Sequence, residues 1–149
     1  MATITGTAAG ESLTGTRLQD EIFGLGGDDR IYGRAGNDTI DGGTGRDFMA
    51  GRAGSDFYYV DSRFDVVAER LGEGESDTIF ATVSFRLQAN VENLELRGAA
   101  SRGHGNDLAN RLTVETGQEV DNVLNGRGGA DFMAGGLGND TYLSMMQET

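Results

Sequence analysis

The chain has 149 residues, of which 25 are Gly and none is Pro, Cys or Trp, and its formal net charge is −12. The absence of Cys excludes disulfide bonds, thiolate metal sites and cysteine nucleophiles, so a bound metal ion would have oxygen ligands. The 24 acidic residues against 12 basic ones argue against nucleic-acid binding, and the lack of any long apolar run argues against membrane insertion.

Glycine recurs every nine residues through residues 1–59, which we predict to be an N-terminal repeat roll. The nine-residue frames begin at Gly6, Gly15, Gly24, Gly33, Gly42 and Gly51. Position six of each frame is acidic, namely Glu11, Asp20, Asp29, Asp38, Asp47 and Asp56. Position eight is apolar, namely Leu13, Ile22, Ile31, Ile40, Met49 and Tyr58. A fixed short period of this kind is typical of a solenoid.

Each frame predicts one turn and one short strand. Positions seven to nine alternate with the period of two that a strand requires, and the apolar residue at position eight is expected to point inward. The Gly-rich positions one to six predict a turn. Two frames then make one coil, and the parallel strands of successive coils lie about 4.8 Å apart. Residues two frames apart should therefore lie above one another, as Asp29 above Asp47.

This stacking brings like charges together. Two carboxylates about 4.8 Å apart repel by roughly 3.5 kcal/mol at an effective dielectric constant of 20. We therefore expect oxygen-lined grooves along both edges of the coil, which close only around cations. Calcium takes six to eight oxygens from carboxylates and backbone carbonyls in irregular geometry, whereas magnesium requires a tighter octahedron and fits less well.

Residues 60–116 contain less Gly and are predicted to be a strand-rich, degenerate spacer that continues the solenoid. The alternation from Thr78 to Leu87 predicts one strand, and Val91 to Arg97 predicts a second. A separate ligand site in this segment is the alternative. His104 is the only His, and we interpret it as a solvated loop residue because one His without Cys does not make the usual zinc site.

A second block of repeats occupies residues 117–143. Its frames begin at Gly117, Gly126 and Gly135, with Asn122, Asp131 and Asp140 at position six. Residues 144–149 are predicted to be a tail. Because the chain ends just after a complete repeat, we expect it to be a fragment of a longer protein.

The segments from Gly24 to Tyr59 and from Gly126 to Leu143 resemble the RTX (repeats-in-toxin, haemolysin-type) nonapeptide repeat, Gly-Gly-x-Gly-x-Asp-x-apolar-x. The resemblance implies an all-β fold, a right-handed parallel β-roll (β-solenoid) with Gly/Asp-rich calcium-binding turns. It also implies several bound calcium ions, about four to six from the number of stacked turns, and secretion by a type I exporter of Gram-negative bacteria.

The family's ligand positions can be carried over to this chain. The implied carboxylate ligands are Asp29, Asp38, Asp47, Asp56, Asp131 and Asp140. The implied carbonyl ligands include Gly27, Gly36 and Gly45. For Asp20 and Asp65 the question stays open, since the turns that contain them depart from the pattern.

We interpret the chain as a calcium-binding module of a secreted, extracellular bacterial RTX protein that folds on binding calcium outside the cell. We expect it not to be an enzyme, because the periodic register accounts for the acidic residues. One alternative is an accessory module that binds an acidic polysaccharide such as alginate through Arg and aromatic side chains. Another is a structural piece of an adhesin or surface layer. The outward-facing aromatics Phe48, Phe57, Tyr59 and Phe132 are expected to be covered by the middle segment.

Overall fold

Short strands separated by glycine-rich turns run through the computed structural model, which describes residues 1–74 and 76–144. These residues form sixteen strands and no helix. The strands are β1 Thr3–Thr5, β2 Ser12–Thr14, β3 Glu21–Phe23, β4 Arg30–Ala35, β5 Thr39–Asp41, β6 Phe48–Ala53, β7 Phe57–Val60, β8 Val66–Val67, β9 Thr78–Ala81, β10 Phe85–Arg86, β11 Asn93–Leu96, β12 Arg102–His104, β13 Arg111–Val114, β14 Val123–Arg127, β15 Phe132–Ala134 and β16 Thr141–Ser144. None of the described residues forms a helix that is long and apolar enough to cross a membrane.

The strands form two layers. All odd-numbered strands, β1 to β15, make one eight-stranded sheet. The even-numbered strands make two four-stranded sheets, β2-β4-β6-β8 and β10-β12-β14-β16, and every pairing is parallel. Since the chain alternates between the layers at each turn, the prediction of a parallel β-roll is confirmed.

The coil repeats every 18 residues in the N-terminal half, as the spacing of the frames predicts. Ile22 pairs with Ile40, and Ile31 with Met49. Position-eight side chains therefore form a continuous column between the layers, and the core members Ile22, Ile31, Ile40, Met49 and Tyr58 are fully buried. Burying an aliphatic side chain of this size contributes about 1.5–3 kcal/mol, so this column is the main apolar stabilisation of the roll.

The register shifts in the middle segment. Tyr58 pairs with Ile79, 21 residues on, and Ile79 with Leu94, 15 residues on. On the opposite layer Val67 and Phe85 stay in the 18-residue register, but β8 and β10 belong to different sheets. A break therefore separates the two four-stranded sheets at this point.

Two boundaries in the sequence interpretation need correction. The predicted strand from Thr78 to Leu87 is two strands, β9 and β10, because the chain turns at residues 82–84 and passes from one layer to the other. The strand predicted from Val91 to Arg97 is present as β11. Ser144 was assigned to the tail but ends β16, and residues 145–149 lie outside the described residues.

Candidate metal centre

The position-six carboxylates join the coils through one of their two oxygens. The backbone N–H of Asp20 donates to Asp38 Oδ1 at 2.8 Å, and the N–H of Asp38 donates to Asp56 Oδ1 at 2.7 Å. On the other edge Asp29 N–H donates to Asp47 Oδ1 at 2.9 Å. Each bond spans 18 residues, so the aspartates form a ladder parallel to the column of core side chains.

These carboxylates lie inside the roll, which corrects the expectation of open grooves. Asp29, Asp38, Asp47 and Asp56 have relative exposures between 0% and 2%. The glycine-rich turns fold over them because glycine leaves no side chain in the way. Asp131 and Asp140 are only half-buried, since they belong to the last coils of the described chain.

The second carboxylate oxygen is what marks this ladder as a cation site. It is buried and has no hydrogen-bond partner in Asp29, Asp38, Asp47, Asp56 and Asp77. An unsatisfied buried polar atom costs about 1–3 kcal/mol, and more when it is charged. The ordered repetition of such atoms fits a missing cation.

A backbone carbonyl lies beside this unpartnered oxygen, around the position-one glycine. A Cβ built on Gly24 would overlap both Asp29 Oδ2 and the Gly42 carbonyl oxygen. At Gly42 it would lie 2.6 Å from Asp47 Oδ2. In the described residues no three Asp, Glu or His side chains converge on one point, so a cation here would depend on carbonyls for its other ligands. Carboxylate and carbonyl oxygens together are a donor set that suits calcium.

Asp20 and Asp65 differ from the other position-six residues. Thr16 donates to Asp20 Oδ2 from both its backbone N–H, at 2.6 Å, and its hydroxyl, at 2.7 Å. Ser62 N–H donates to Asp65 Oδ2 at 3.1 Å. Although burial acts to raise the pKa of Asp20, the bonds from Thr16 hold that pKa below its ordinary value. Both carboxylates are satisfied by the protein itself, so they have less need of a cation.

Burial leaves the unpartnered carboxylates poorly stabilised as anions. Desolvation, opposed only in part by the ladder bonds, raises the pKa of Asp38 and of Asp47 to about 6. The same cause, with the neighbouring carboxylates added, raises the pKa of Asp56 to about 8 and that of Asp77 to about 7. A cation bound beside them would supply the missing stabilisation of the charged form.

The turn glycines Gly27, Gly36 and Gly45 have φ values of 94°, 109° and 145°. Glycine adopts this region without the steric cost that other residues meet. A Cβ on Gly45 would overlap the Gly27 carbonyl, so the carbonyls of these turns point along the stack toward the next coil. The structure thus places the three predicted carbonyl donors in one column of turns.

A glutamate that the repeat pattern does not single out also enters this column. Gly51 N–H donates to Glu69 Oε1 at 3.1 Å, and the Tyr58 hydroxyl makes a short hydrogen bond with the same oxygen. The other oxygen of Glu69 is buried without a partner, and burial raises the pKa of this carboxyl. The signal in the sequence is that Glu69 stands 18 residues after Gly51, in the place of a position-one glycine.

Two further sequence interpretations are wrong. His104 lies in strand β12, half-buried, and not in a solvated loop. Phe57 and Phe132 are 41% and 52% exposed, so the middle segment does not cover them. It continues the same sheet beside them, because β7 pairs with β9 edge to edge.

The exposed aromatics belong to a set of side chains on the outer face of the eight-stranded sheet. The Phe57 and Phe80 rings are stacked with centroids 5.9 Å apart, and Tyr59 packs against Phe80 at 5.1 Å. The Arg97 guanidinium lies 3.9 Å from the centre of the Phe80 ring, and Arg111 lies 4.5 Å from that of Phe132. We call these six residues the aromatic face.

The family model of the RTX calcium-binding nonapeptide repeat matches the chain in four copies, at residues 5–40, 14–49, 23–58 and 104–142. Together the matches cover more than half of the chain. A search of curated proteins found no match.

Proposed function

The chain belongs to the RTX calcium-binding nonapeptide repeat family, and from this premise we propose that it is a calcium-binding module that folds around several calcium ions outside a bacterial cell. The observation that carries the proposal is the row of buried, unpartnered Oδ2 atoms beside carbonyl oxygens. We infer no catalytic role for it.

In this proposal Asp29, Asp38, Asp47 and Asp56 bind calcium through Oδ2, while their Oδ1 atoms keep the ladder. Asp131 and Asp140 do so in the last coils. The carbonyls of Gly27, Gly36 and Gly45 supply further oxygen ligands from the column of turns. The bound ions supply positive charge between the coils, and the protein supplies the spacing, the burial and the carbonyl donors.

The same ladder explains a calcium-dependent folding switch. Without cations the closed roll holds like charges in apolar surroundings, and ordering so many glycines has a large entropic cost. Extracellular calcium modules have dissociation constants of about 0.1–1 mM, so they bind the ion outside the cell and not in a low-calcium cytosol. A chain that stays unfolded until it meets millimolar calcium suits secretion of the family's type I kind.

Circular dichroism during a calcium titration tests this proposal, starting from chelated protein and with magnesium as the control. We expect a cooperative gain of β-signal near millimolar calcium and none with magnesium at the same concentration. A chain that is fully folded in chelator would contradict the switch.

The aromatic face favours a second candidate function, binding of an acidic polysaccharide such as alginate. Aromatic rings stack on sugar rings, and guanidinium groups bind carboxylates with two parallel hydrogen bonds. Exposed Phe57 and Phe132 with Arg97 and Arg111 provide both. Adding alginate oligomers to folded protein should shift the NMR signals of these side chains. Calcium-dependent self-association without such shifts would instead favour the structural role in an adhesin or surface layer.

A further inference from the structure

A cavity of about 780 Å³ opens on the outer face of the sheet β10-β12-β14-β16, on the opposite layer from the aromatic face. It lies beside the break between the two four-stranded sheets. Phe85 and Leu87 form buried apolar parts of its wall, with Ala89 and Leu108 at its sides. The volume is in the range of sites that bind small organic molecules.

Basic side chains from four separate segments line this cavity. Arg86 on β10 is the direct strand partner of His104 on β12, and Arg102 lies two residues before His104 on the same face. Arg127 ends β14, and Arg63 reaches the cavity from the loop between β7 and β8. We call these five residues the basic pocket.

The positive charges of the basic pocket are not neutralised by the protein. In the described part of the chain the one ion pair within 4.0 Å is that of Arg97 with Glu95, far along the opposite layer. Asp107 is the single carboxylate among the residues that line the cavity. In a chain with a net charge of −12, four guanidinium groups thus gather where acidic residues are nearly absent.

The wall of the pocket is held in place by a buried amide. The Asn106 side chain donates to the carbonyl oxygens of Gln88 and Val91 at 2.7 and 2.8 Å. It also accepts the N–H of Leu108 at 2.9 Å. These bonds tie the loops after β10 and β12 together, so the basic groups are presented from a fixed framework.

Because fixed guanidinium groups around a cavity bind planar or tetrahedral oxyanions, we propose that the basic pocket binds a small organic molecule that carries several carboxylate, sulfate or phosphate groups. This site is separate from the proposed calcium ligands and goes beyond the proposed function. Arg86, Arg102, Arg127 and Arg63 would hold the oxyanion groups, and the apolar wall would cover the body of the molecule.

His104 reports on the pocket directly, since it is the only His in the chain. Burial and the neighbouring Arg86, Arg127 and Arg102 hold the pKa of His104 below its ordinary value. An oxyanion among these groups would offset the arginine charges. Its binding should therefore raise the pKa of His104 and shift the two carbon-bound ring protons of this imidazole.

The experiment is an NMR titration of the full chain in saturating calcium and low salt, with the fold checked by circular dichroism. The probes are sucrose octasulfate for sulfate and trigalacturonate for carboxylate. We expect a saturable shift of the His104 ring signals with at least one probe, and the better probe identifies the preferred group. Replacing Arg86→Gln and Arg102→Gln together should weaken that binding by about tenfold or more. Arg70→Gln, an exposed arginine outside the cavity, should leave it unchanged.

Three results would overturn the proposal. The first is no shift with either probe. The second is a shift reproduced by sodium chloride at equal ionic strength, which would show screening and not binding. The third is equal affinity in the double variant. If the double variant does not fold, Arg63→Gln replaces it, because Arg63 is exposed in a loop outside the paired strands.

Discussion

Replacing Asp38 by Asn should change stability in opposite directions with and without calcium. Asn retains an oxygen for the ladder bond from Asp20 N–H and replaces the unpartnered Oδ2 with an amide NH₂. The Gly51 carbonyl lies beside that position and can accept a hydrogen bond from the new amide. Asn122 already occupies position six in a later coil, where its amide donates to the Ala100 carbonyl at 3.0 Å.

The magnitude follows from the charge that is removed. In chelator, loss of a buried carboxylate whose pKa is raised to about 6 should make Asp38→Asn more stable than the wild type at pH 7. In calcium the variant loses a ligand charge. A site with a dissociation constant of about 0.1–1 mM contributes about 1.4–2.7 kcal/mol at roughly 10 mM calcium, and the variant should lose most of this.

Urea unfolding followed by circular dichroism measures both effects, in about 10 mM calcium and in chelator at pH 7. If the wild type is unfolded in chelator, the calcium concentration at the folding midpoint gives the same comparison and should be higher for the variant. Asp107→Asn, an exposed residue outside position six, is the control and should change neither value. A change of the same sign in both conditions, or an unchanged calcium midpoint, would refute the role of Asp38 Oδ2.

Three further predictions concern the same ladder. Gly24→Ala should raise the calcium midpoint and lower the free energy of unfolding in calcium by about 1–3 kcal/mol, because its Cβ overlaps Asp29 Oδ2. The matched Gly128→Ala, whose Cβ has its nearest neighbour at 3.5 Å, should leave the calcium midpoint unchanged, and equal effects would contradict the cradle. In chelator, stability should rise as the pH falls from above 8 toward 4, because the folded-state pKa of Asp56 is about 8 against 3.8 for the free side chain, so the folded state binds more protons; stability that falls over this range in urea melts would oppose the assignment. Glu69→Gln should stabilise the calcium-free roll by removing a buried charge while keeping its hydrogen bonds, which thermal unfolding in chelator measures, and a lowered midpoint would show that the charge itself is needed.

Much of the roll was predictable from spacing alone. In the frames from Gly15 and Gly33, positions seven to nine are strands β3 and β5 residue for residue. The coil is regular because every ladder and strand partner lies at one constant separation, as Ile22 lies under Ile40. When contacts recur at a fixed distance along the chain, the sequence period contains the register, and local reasoning reaches the fold.

Other features depended on contacts that no period encodes. Alternation from Thr78 to Leu87 is the same for one strand and for two strands at a corner, and the register shift between Tyr58 and Ile79 decides between them. Asp20 and Asp38 occupy the same position in the repeat. Only the structure shows that Thr16 satisfies one carboxylate while the other keeps an unpartnered oxygen.

The basic pocket belongs wholly to the tertiary structure. Arg63 precedes β8 and Arg127 ends β14, and neither position predicts the other from the sequence. They meet at one cavity because the two four-stranded sheets fail to join beside them, which leaves room for side chains from both sides of the break. The repeat determines the coil, the core column and the calcium ladder by itself, whereas a site formed at an interruption of the repeat is decided only when distant segments pack together.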